Sequence, residues 1–509
     1  MSIIYRNGTT LDGEPISFAV DHGRFIEVAP DIDAPNAEDL GGSLVLPGFV
    51  DAHCHIIPTG LDMLRLHLGE CSTPEEVLEA VRDRNENDDG DEWLAAVHYD
   101  QTRFPDGLHM HRDDLDAISE VRPIILRHVN GHASVVNTAA LKAAGIDDST
   151  EDPKGGTFVR DGAGRLTGVL LERAHERVSA AAPEPTVEQM TDAIKNAAES
   201  MSRYGITVAS DMMTGYCNLE KELEAYRLAA EAGAPVRLRL YLQWSPLFGP
   251  RALDEHRRKE LTSAMEADYC KVAGAKIFAD GAIASATAAI HGEFTTGGNG
   301  QLIYSPDRLK AMVATAHDAG WPVSVHSIGD RSTDHVLDAF EATDGPARHR
   351  IEHAMILSDQ QIDRLAQLNC HVAMQPEFLM RLGHAYRRQL QPDVAQTLKR
   401  AKSCLDKGVR MSFNSDRPVV QGNPWDGINT ATARPEGFDQ GENVSLDQAV
   451  ALYTEGGADA NGELGLMGEI AEGNFADFQV YRSDPTKSPN PCPDDVYMHG
   501  ELRSQPVRT

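Results

Sequence analysis

One unit repeats along the chain from about residue 186 onward: a helix with an apolar stripe, a glycine, and a short apolar strand. Met190, Ile194 and Ala197 recur at helical spacing, and Gly205 ends that helix before the next strand begins. Buried strands that alternate with helices predict an α/β fold with a parallel sheet. Eight stretches have this strand character: LPGFVDAHCH (46–55), ITVASD (206–211), VRLRLYL (236–242), GAKIFAD (274–280), VSVH (323–326), RIEHA (350–354), HVAMQ (371–375) and RMSFNSD (410–416).

Eight strands of this kind predict a closed (β/α)8 TIM barrel. A doubly wound open sheet is the structural alternative, because the spacing of the strands along the chain fits both folds.

Two regions depart from the repeat. Residues 1–46 and 460–509 contain short strands punctuated by glycine, and we expect both termini to form one small β-sandwich domain. The barrel then spans 47–459, with an insertion at 60–180 after its first strand that is predicted to cap the barrel mouth. The insertion carries one clear helix signal, with Thr73 as N-cap and Pro74 at the first helical position, and otherwise looks irregular.

Composition restricts the partners of this chain of 509 residues. A net charge of −31 argues against nucleic acid and against an anionic membrane surface as partners. No apolar run is long enough to span a bilayer. The seven cysteines are scattered without a CxxC motif, which is typical of reduced thiols in the cytoplasm. We therefore expect a cytoplasmic protein that acts on a small molecule, and homo-oligomers are compatible with the sequence.

The segment DAHCH places two histidines at the end of the first predicted strand. Residues i and i+2 of a strand point to the same side, so His53 and His55 could bind one metal ion together. Two ordinary histidines are the alternative for an isolated pair of this kind.

Three further candidate ligands, His326, His353 and Asp416, end other predicted strands. The carboxyl ends of barrel strands converge on one face, where active sites of such barrels lie. Imidazole and carboxylate ligands suit zinc or a similar divalent ion. The sequence therefore predicts a metal site at this face.

Lys276 lies among apolar residues in the fourth predicted strand. A buried ammonium beside a dication would be unfavourable. A neutral lysine could instead react with carbon dioxide and give a carbamate that bridges two metals, whereas an ammonium that reaches the barrel rim is the alternative. Spacing leaves both open and slightly favours the rim.

The segment LVLPGFVDAHCH (44–55) resembles the opening signature of the amidohydrolase superfamily of metal-dependent hydrolases. The resemblance is greatest to its YtcJ-like branch, which includes N-substituted formamide deformylase, and it extends almost from end to end. The supporting segments are NGHASVVNTAAL (130–141), TGVLLERA (167–174), YGITVASD (204–211), KIFADG (276–281), VHSIGDRSTDHVLDAFE (325–341), RIEHA (350–354), SDRPV (415–419) and GEIAEGNFADFQV (468–480).

This resemblance implies a (β/α)8 barrel with a β-sandwich built from both termini, and one or two divalent metal ions, usually zinc. The implied ligands are His53, His55, Lys276, His326, His353 and Asp416. It further implies N-carboxylysine at Lys276, which reverses the inference from spacing, and a catalytic Asp416 that also moves protons. The arginine that the branch often has after Asp280-Gly281 is missing, so the substrates of its members are not carried over.

Such a site predicts hydrolysis of a C–N bond in an amide, formamide, carbamate or cyclic amide by metal-activated water. Deamination of an amino-heterocycle at a single metal is the alternative reaction, and a non-catalytic metal-binding protein is the third possibility. In the insertion, His132 is predicted to donate a hydrogen bond to the substrate, with a structural histidine as the alternative.

Overall fold

The computed structural model describes residues 2–87, 93–129, 133–153, 155–265, 268–344 and 348–504. Two compact units emerge from the pattern of contacts along the chain. The first unit contains Met1–Thr59 and Ile194–Thr509, and the second contains Gly60–Ala193. None of the helices in the described ranges combines the length and the apolar character that crossing a membrane requires.

Eight strands of the first unit form one sheet in which all neighbouring pairs are parallel. In chain order they are β1 (Phe49–Cys54), β2 (Ile206–Thr214), β3 (Arg237–Gln243), β4 (Cys270–Phe278), β5 (Val323–Ser327), β6 (Arg350–His353), β7 (His371–Met374) and β8 (Arg410–Phe413). Each strand lies beside its predecessor in the chain. This confirms the eight predicted strands and excludes the doubly wound alternative, in which the strand order reverses.

The ring of strands is nearly closed between β8 and β1. The backbone N–H of Asp416 donates to the carbonyl of His53 over 2.8 Å, and the N–H of His55 donates to the carbonyl of Arg417 over 2.8 Å. The first and last strands of the sheet are therefore joined at its carboxyl edge, where barrels of this class carry their active sites.

Helices connect the barrel strands, and their sequences explain where they begin. The helix Pro306–Asp318 follows Ser305, whose hydroxyl accepts a hydrogen bond from the N–H of Arg308, and it buries an apolar stripe that includes Leu309 and Val313. The other helices of this unit are Leu219–Glu231, Trp244–Phe248, Glu255–Ser263, Asp330–Glu341, Asp359–Gln367, Glu377–Arg381, Gly383–Gln389, Pro392–Gln396, Ala401–Asp406, Pro424–Thr432, Leu446–Tyr453 and Glu455–Asn461. Two more helices, Ile56–Leu64 and Val187–Ser202, contain the points where the chain passes between the units.

Strands from both termini pair in a second sheet of the first unit. The N-terminal strand Leu44–Pro47 is antiparallel to the C-terminal strand Phe478–Tyr481, and the aromatic rings of Tyr5 and Phe18 pack against Phe478. The remaining strands are Ile3–Thr9, Pro15–Asp21, Arg24–Ala29, Glu38–Asp39, Asp495–Met498 and Glu501–Ser504. Both termini therefore contribute strands to one sheet, whereas a separate two-layered sandwich domain stays a prediction.

The second unit contains a six-stranded sheet in a region where the sequence predicts irregular structure. The predicted helix is confirmed as Pro74–Asn87 and buries Val77 and Val81. The strands are Leu66–His67, Leu94–Tyr99, Ile124–His128, Ala133–Val136, Gly156–Arg160 and Leu166–Glu172, and the further helices are Arg112–Asp116, Thr138–Ala143 and Arg173–Ser179. The sheet escapes prediction because its parallel and antiparallel pairs follow no single repeat along the chain. Its role as a cap stays a prediction.

A glycine allows one helix to lie close to the first barrel strand. A Cβ atom added to Gly457, in the helix Glu455–Asn461, would lie 2.5 Å from the Cβ atom of Val50 and 3.0 Å from its carbonyl oxygen. Both distances are shorter than van der Waals contact, and the backbone oxygen has little freedom to move. Packing therefore requires glycine here, although alanine is the better helix former.

We expect Gly457→Ala to lower the free energy of unfolding by about 1–3 kcal/mol through overpacking. The matched control is Gly292→Ala, because a Cβ atom at Gly292 would meet nothing within 4 Å. The control should change stability by less than about 0.5 kcal/mol in urea unfolding. Equal stability of the two variants would contradict the close approach of this helix to β1.

Candidate metal centre

The predicted ligands lie in or just after barrel strands at the carboxyl edge. They are His53 in β1, His55 one residue after it, Lys276 in β4, His326 in β5, His353 at the end of β6 and Asp416 three residues after β8. One nitrogen of His53, one nitrogen of His55 and one oxygen of Asp416 all lie within 4.8 Å of one another. Within the described ranges, this is the only group of three histidine, cysteine or acidic side chains whose donor atoms come so close.

A single carboxylate oxygen faces both imidazoles of the HxH pair. Oδ1 of Asp416 lies 2.9 Å from Nε2 of His55 and 3.2 Å from Nε2 of His53. Despite these distances, the oxygen has no hydrogen-bond partner of suitable geometry among the described residues. Electron-pair donors that face one another without sharing a proton are stabilised by a cation, so these three side chains fit a divalent ion.

The other face of His53 is held by a buried carboxylate. Nδ1 of His53 donates to Oε2 of Glu352 over 2.6 Å, which leaves Nε2 as the free electron pair. Burial alone would raise the pKa of Glu352, but Arg350 and His53 hold it well below its usual range. Arg350 also donates to the carbonyl of Ala52 over 2.8 Å. This carboxylate–histidine pair is the arrangement that commonly orients metal-binding histidines.

The remaining two histidines lie next to this group. The ring of His353 is 4.9 Å from that of His53 and 4.5 Å from that of His326, measured between centroids. Nδ1 of His353 lies 3.8 Å from Oδ2 of Asp416. Burial, followed by the charge of Lys276, lowers the pKa of His326 to about 3. Burial and His326 likewise lower the pKa of His353 well below its usual range, so both rings are neutral and able to bind metal.

Lys276 points into the protein and does not reach solvent. It is only 1% exposed, and its Nζ atom makes no hydrogen bond among the described residues. The rim alternative is therefore wrong. Burial lowers the pKa of Lys276 to about 8, although the charges of Glu352 and Asp416 act in the opposite direction. A buried amine that makes no hydrogen bond among the described residues and has a lowered pKa is chemically suited to carbamate formation.

Sequence reasoning gave no role to two carboxylates of the site. Glu352 lies inside the quoted segment RIEHA, and Asp51 opens the segment DAHCH. The oxygens of Asp51 accept from the N–H of Ser415 at 3.0 Å and from its hydroxyl at 2.5 Å, next to the ligand Asp416. The sequence did contain a signal for both carboxylates. Asp51 lies two positions before the predicted ligand His53, and Glu352 lies one position before the predicted ligand His353.

One predicted site residue cannot be placed. His132 lies outside the described residues, so its contact with the substrate stays a prediction.

Known proteins resemble this chain over most of its length. The sequence pattern of the amidohydrolase family matches residues 36–501. YtcJ of Bacillus subtilis (strain 168) is 31% identical over 466 residues, which cover 89% of this chain and 87% of that protein. N-substituted formamide deformylase of Arthrobacter pascens is 29% identical over 480 residues, which cover 89% of this chain and 86% of that protein. The crystal structure of an uncharacterized metal-dependent hydrolase from Pyrococcus furiosus matches with a TM-score of 0.80 and 25% identity, and covers 96% of this chain and 100% of that one.

The matched residues 36–501 include the whole barrel and all the predicted ligands. The resemblance inferred from the sequence motifs is thereby confirmed, and the protein is a metal-dependent hydrolase by family. The chain belongs to the amidohydrolase family.

Proposed function

We propose that this protein hydrolyses a C–N bond other than a peptide bond, in an amide, formamide, carbamate or cyclic amide. The observation that carries the proposal is the group of His53, His55 and Asp416, together with the amine of Lys276, which is buried in the same barrel and makes no hydrogen bond among the described residues. Two relatives support the reaction class, because one is named putative amidohydrolase YtcJ and the other is named N-substituted formamide deformylase.

The side chains that would hold the metal are His53, His55, His326, His353 and Asp416, together with Lys276 as a carbamate. Zinc is the proposed metal, since imidazole and carboxylate ligands suit it. A bound divalent ion would polarise a substrate carbonyl and lower the pKa of a water molecule. His132 is proposed to donate a hydrogen bond to the substrate, and we place the enzyme in the cytoplasm.

Asp416 is the proposed proton carrier. The side chain of Asp416 is buried, and its carboxylate faces the HxH pair, where a reacting water molecule would lie. An ionised carboxylate in this position takes a proton from the attacking water, and the resulting acid delivers that proton to the leaving nitrogen. Glu352 holds the imidazole of His53, which faces Asp416, in one orientation during this transfer.

Deamination of an amino-heterocycle at a single ion is the second candidate. The close group contains only three side chains, His53, His55 and Asp416, and three protein ligands are enough for one catalytic ion. A carbamate on Lys276 separates the two candidates, because one ion needs no bridge between metals.

We expect the purified protein to contain one to two equivalents of zinc or a related divalent ion. His53→Ala and His55→Ala should each remove at least one equivalent, because both imidazoles face the same carboxylate oxygen. Elemental analysis measures the metal, with His256→Ala on the exposed helix Glu255–Ser263 as the control. Full metal content in both site variants would contradict the proposed centre.

We expect intact Lys276 to carry an added carboxyl group, detectable by mass spectrometry of the native protein or as density in a crystal structure. Lys276→Ala should lose the second metal ion and most activity, and short carboxylic acids should restore part of both. Lys276→Arg is the matched variant that keeps a long cationic side chain but cannot form the carbamate. Unmodified Lys276 in a protein fully loaded with metal would favour the single-ion deaminase.

The reaction class is tested by assaying the metal-loaded protein against N-acyl, N-formyl, carbamate and cyclic amide compounds, with amino-heterocycles as the competing panel. Asp416→Asn should lower kcat on the best substrate by about 10²- to 10⁴-fold, since it removes the proton carrier. Turnover of amino-heterocycles alone would replace the proposal with deamination. Metal binding without turnover of either panel would favour a non-catalytic protein.

A further inference from the structure

A second lysine is buried beside the metal centre, on the side of His353. Lys399 is 2% exposed, and its Nζ atom donates to the carbonyl of His353 over 3.1 Å and to Oε1 of Gln375 over 2.6 Å. Among the described residues, no carboxylate lies within ion-pair distance of this amine. An ion pair therefore does not explain the position of Lys399. Burial of a lysine without an acidic partner is unfavourable, and its hydrogen bonds must account for it.

Gln375 connects the lysine to the metal centre. Its Oε1 atom accepts from Lys399 and also from Nδ1 of His353, which is 3.0 Å away. On its other side, Nε2 of Gln375 donates to Oδ1 of Asn414 over 2.7 Å. A side-chain amide can be turned by half a rotation, which exchanges its oxygen and nitrogen. The amine of Lys399 donates one hydrogen bond to the carbonyl of His353 and one to Gln375. Both bonds can form only when the oxygen of Gln375 faces the amine.

The orientation of Gln375 determines the tautomer of His353. With Oε1 facing the ring, Nδ1 carries the proton and Nε2 keeps its electron pair. With the amide turned, the NH₂ group would face Nδ1 and favour a proton on Nε2, which cannot then bind metal. The observed arrangement, in which Lys399 donates to the carbonyl of His353 and to Oε1 of Gln375, is available to the amine whether it is charged or neutral.

Lys399 also holds the backbone of His353. His353 has a φ of +74° and Ala354 a φ of +41°, a left-handed conformation that non-glycine residues seldom adopt. The hydrogen bond from Nζ to the carbonyl of His353 and the bond from the N–H of Ala354 to the carbonyl of Ser327, at 3.0 Å, stabilise this turn. The same amine therefore fixes both the ring and the chain that carries it.

We propose that Lys399 is a positioning residue for the metal centre: through Gln375 it fixes the tautomer of His353 that leaves Nε2 free to bind a divalent ion. The proposal rests on the proposed function in one respect, namely that His353 is a metal ligand. It assigns Lys399 no contact with substrate or metal.

The test measures zinc binding by competition with a chromophoric chelator, without any substrate. Lys399→Met keeps the length of the side chain and removes its N–H groups, and it should raise the Kd of the weakest zinc equivalent by about 10- to 100-fold. The control is Lys407→Met, which removes an exposed lysine paired with Asp363 on the surface. Its zinc affinity should equal that of the unchanged protein.

A second substitution tests whether the loss of zinc affinity comes from the orientation of the Gln375 amide or from weaker packing around His353. In the Lys399→Met background, Gln375→Glu supplies a carboxylate whose two oxygens both accept, so no donor is needed to orient it. The double variant should recover most of the lost zinc affinity. If Lys399→Met does not fold, Gln375→Leu removes the side chain that links Lys399 to His353. This variant should show the same loss of zinc affinity.

Unchanged zinc affinity in Lys399→Met, or a loss that Gln375→Glu does not reverse, would overturn the proposal while leaving the proposed function intact. If the unchanged protein binds no zinc, the metal centre itself fails, and the positioning role fails with it. Both tests compare zinc affinities, and neither uses activity toward an amide.

Discussion

The hydrogen bonds between β8 and β1 close the barrel and assemble its metal centre in the same place. The N–H of Asp416 is bonded to the carbonyl of His53, and the carboxylate of Asp416 faces the nitrogens of His53 and His55. These residues are more than 360 positions apart in the chain and belong to the first and last strands of the sheet or the segments just after them, so the donors meet where the two edges of the sheet come together. Asp51 strengthens this junction by accepting two hydrogen bonds from Ser415. The two edges of the barrel sheet and the three donor side chains therefore come together at one junction.

Buried charges lie below and beside this junction, and stability alone does not explain them. Arg350 and Glu352 form an ion pair that is fully enclosed by the barrel, and pairs of this kind are often no more stabilising than apolar residues of the same volume. Lys276 and Lys399 are buried without an acidic partner within ion-pair distance in the described ranges. What these groups have in common is that each lies near a histidine that we propose as a metal ligand. Orientation and charge at the ligands account for them better than the packing of the core.

The sequence is informative about the barrel and its ligands because both depend on local pattern. Strand, helix and glycine repeat in order, and the ligands follow directly on apolar strands, so His53, His55 and Asp416 could be named before their distances were known. Glu352 and Lys399 were not assigned, because their partners lie on other strands and loops. Which side chain of β6 faces β1 depends on register and on the curvature of the sheet, and a single sequence does not encode these in a readable way. The sheet of the second unit was missed for the same reason, since its strands pair without a repeat.

Charge balance supports the carbamate proposed at Lys276. Buried acidic and basic side chains near the junction largely compensate one another when they are ionised: the acidic ones include Asp51, Asp211, Glu352 and Asp416, and the basic ones include Arg350, Arg417, Lys276 and Lys399. Two divalent ions added to these compensated charges would leave a large positive charge in a buried site, which is strongly unfavourable in a medium of low dielectric constant. Conversion of the ammonium of Lys276 to a carbamate changes the local charge by two units in the favourable direction. The lowered pKa of Lys276, about 8, makes the neutral amine accessible for that reaction near neutral pH. The same buried environment that makes the ammonium unfavourable thus favours the anion once metal is bound.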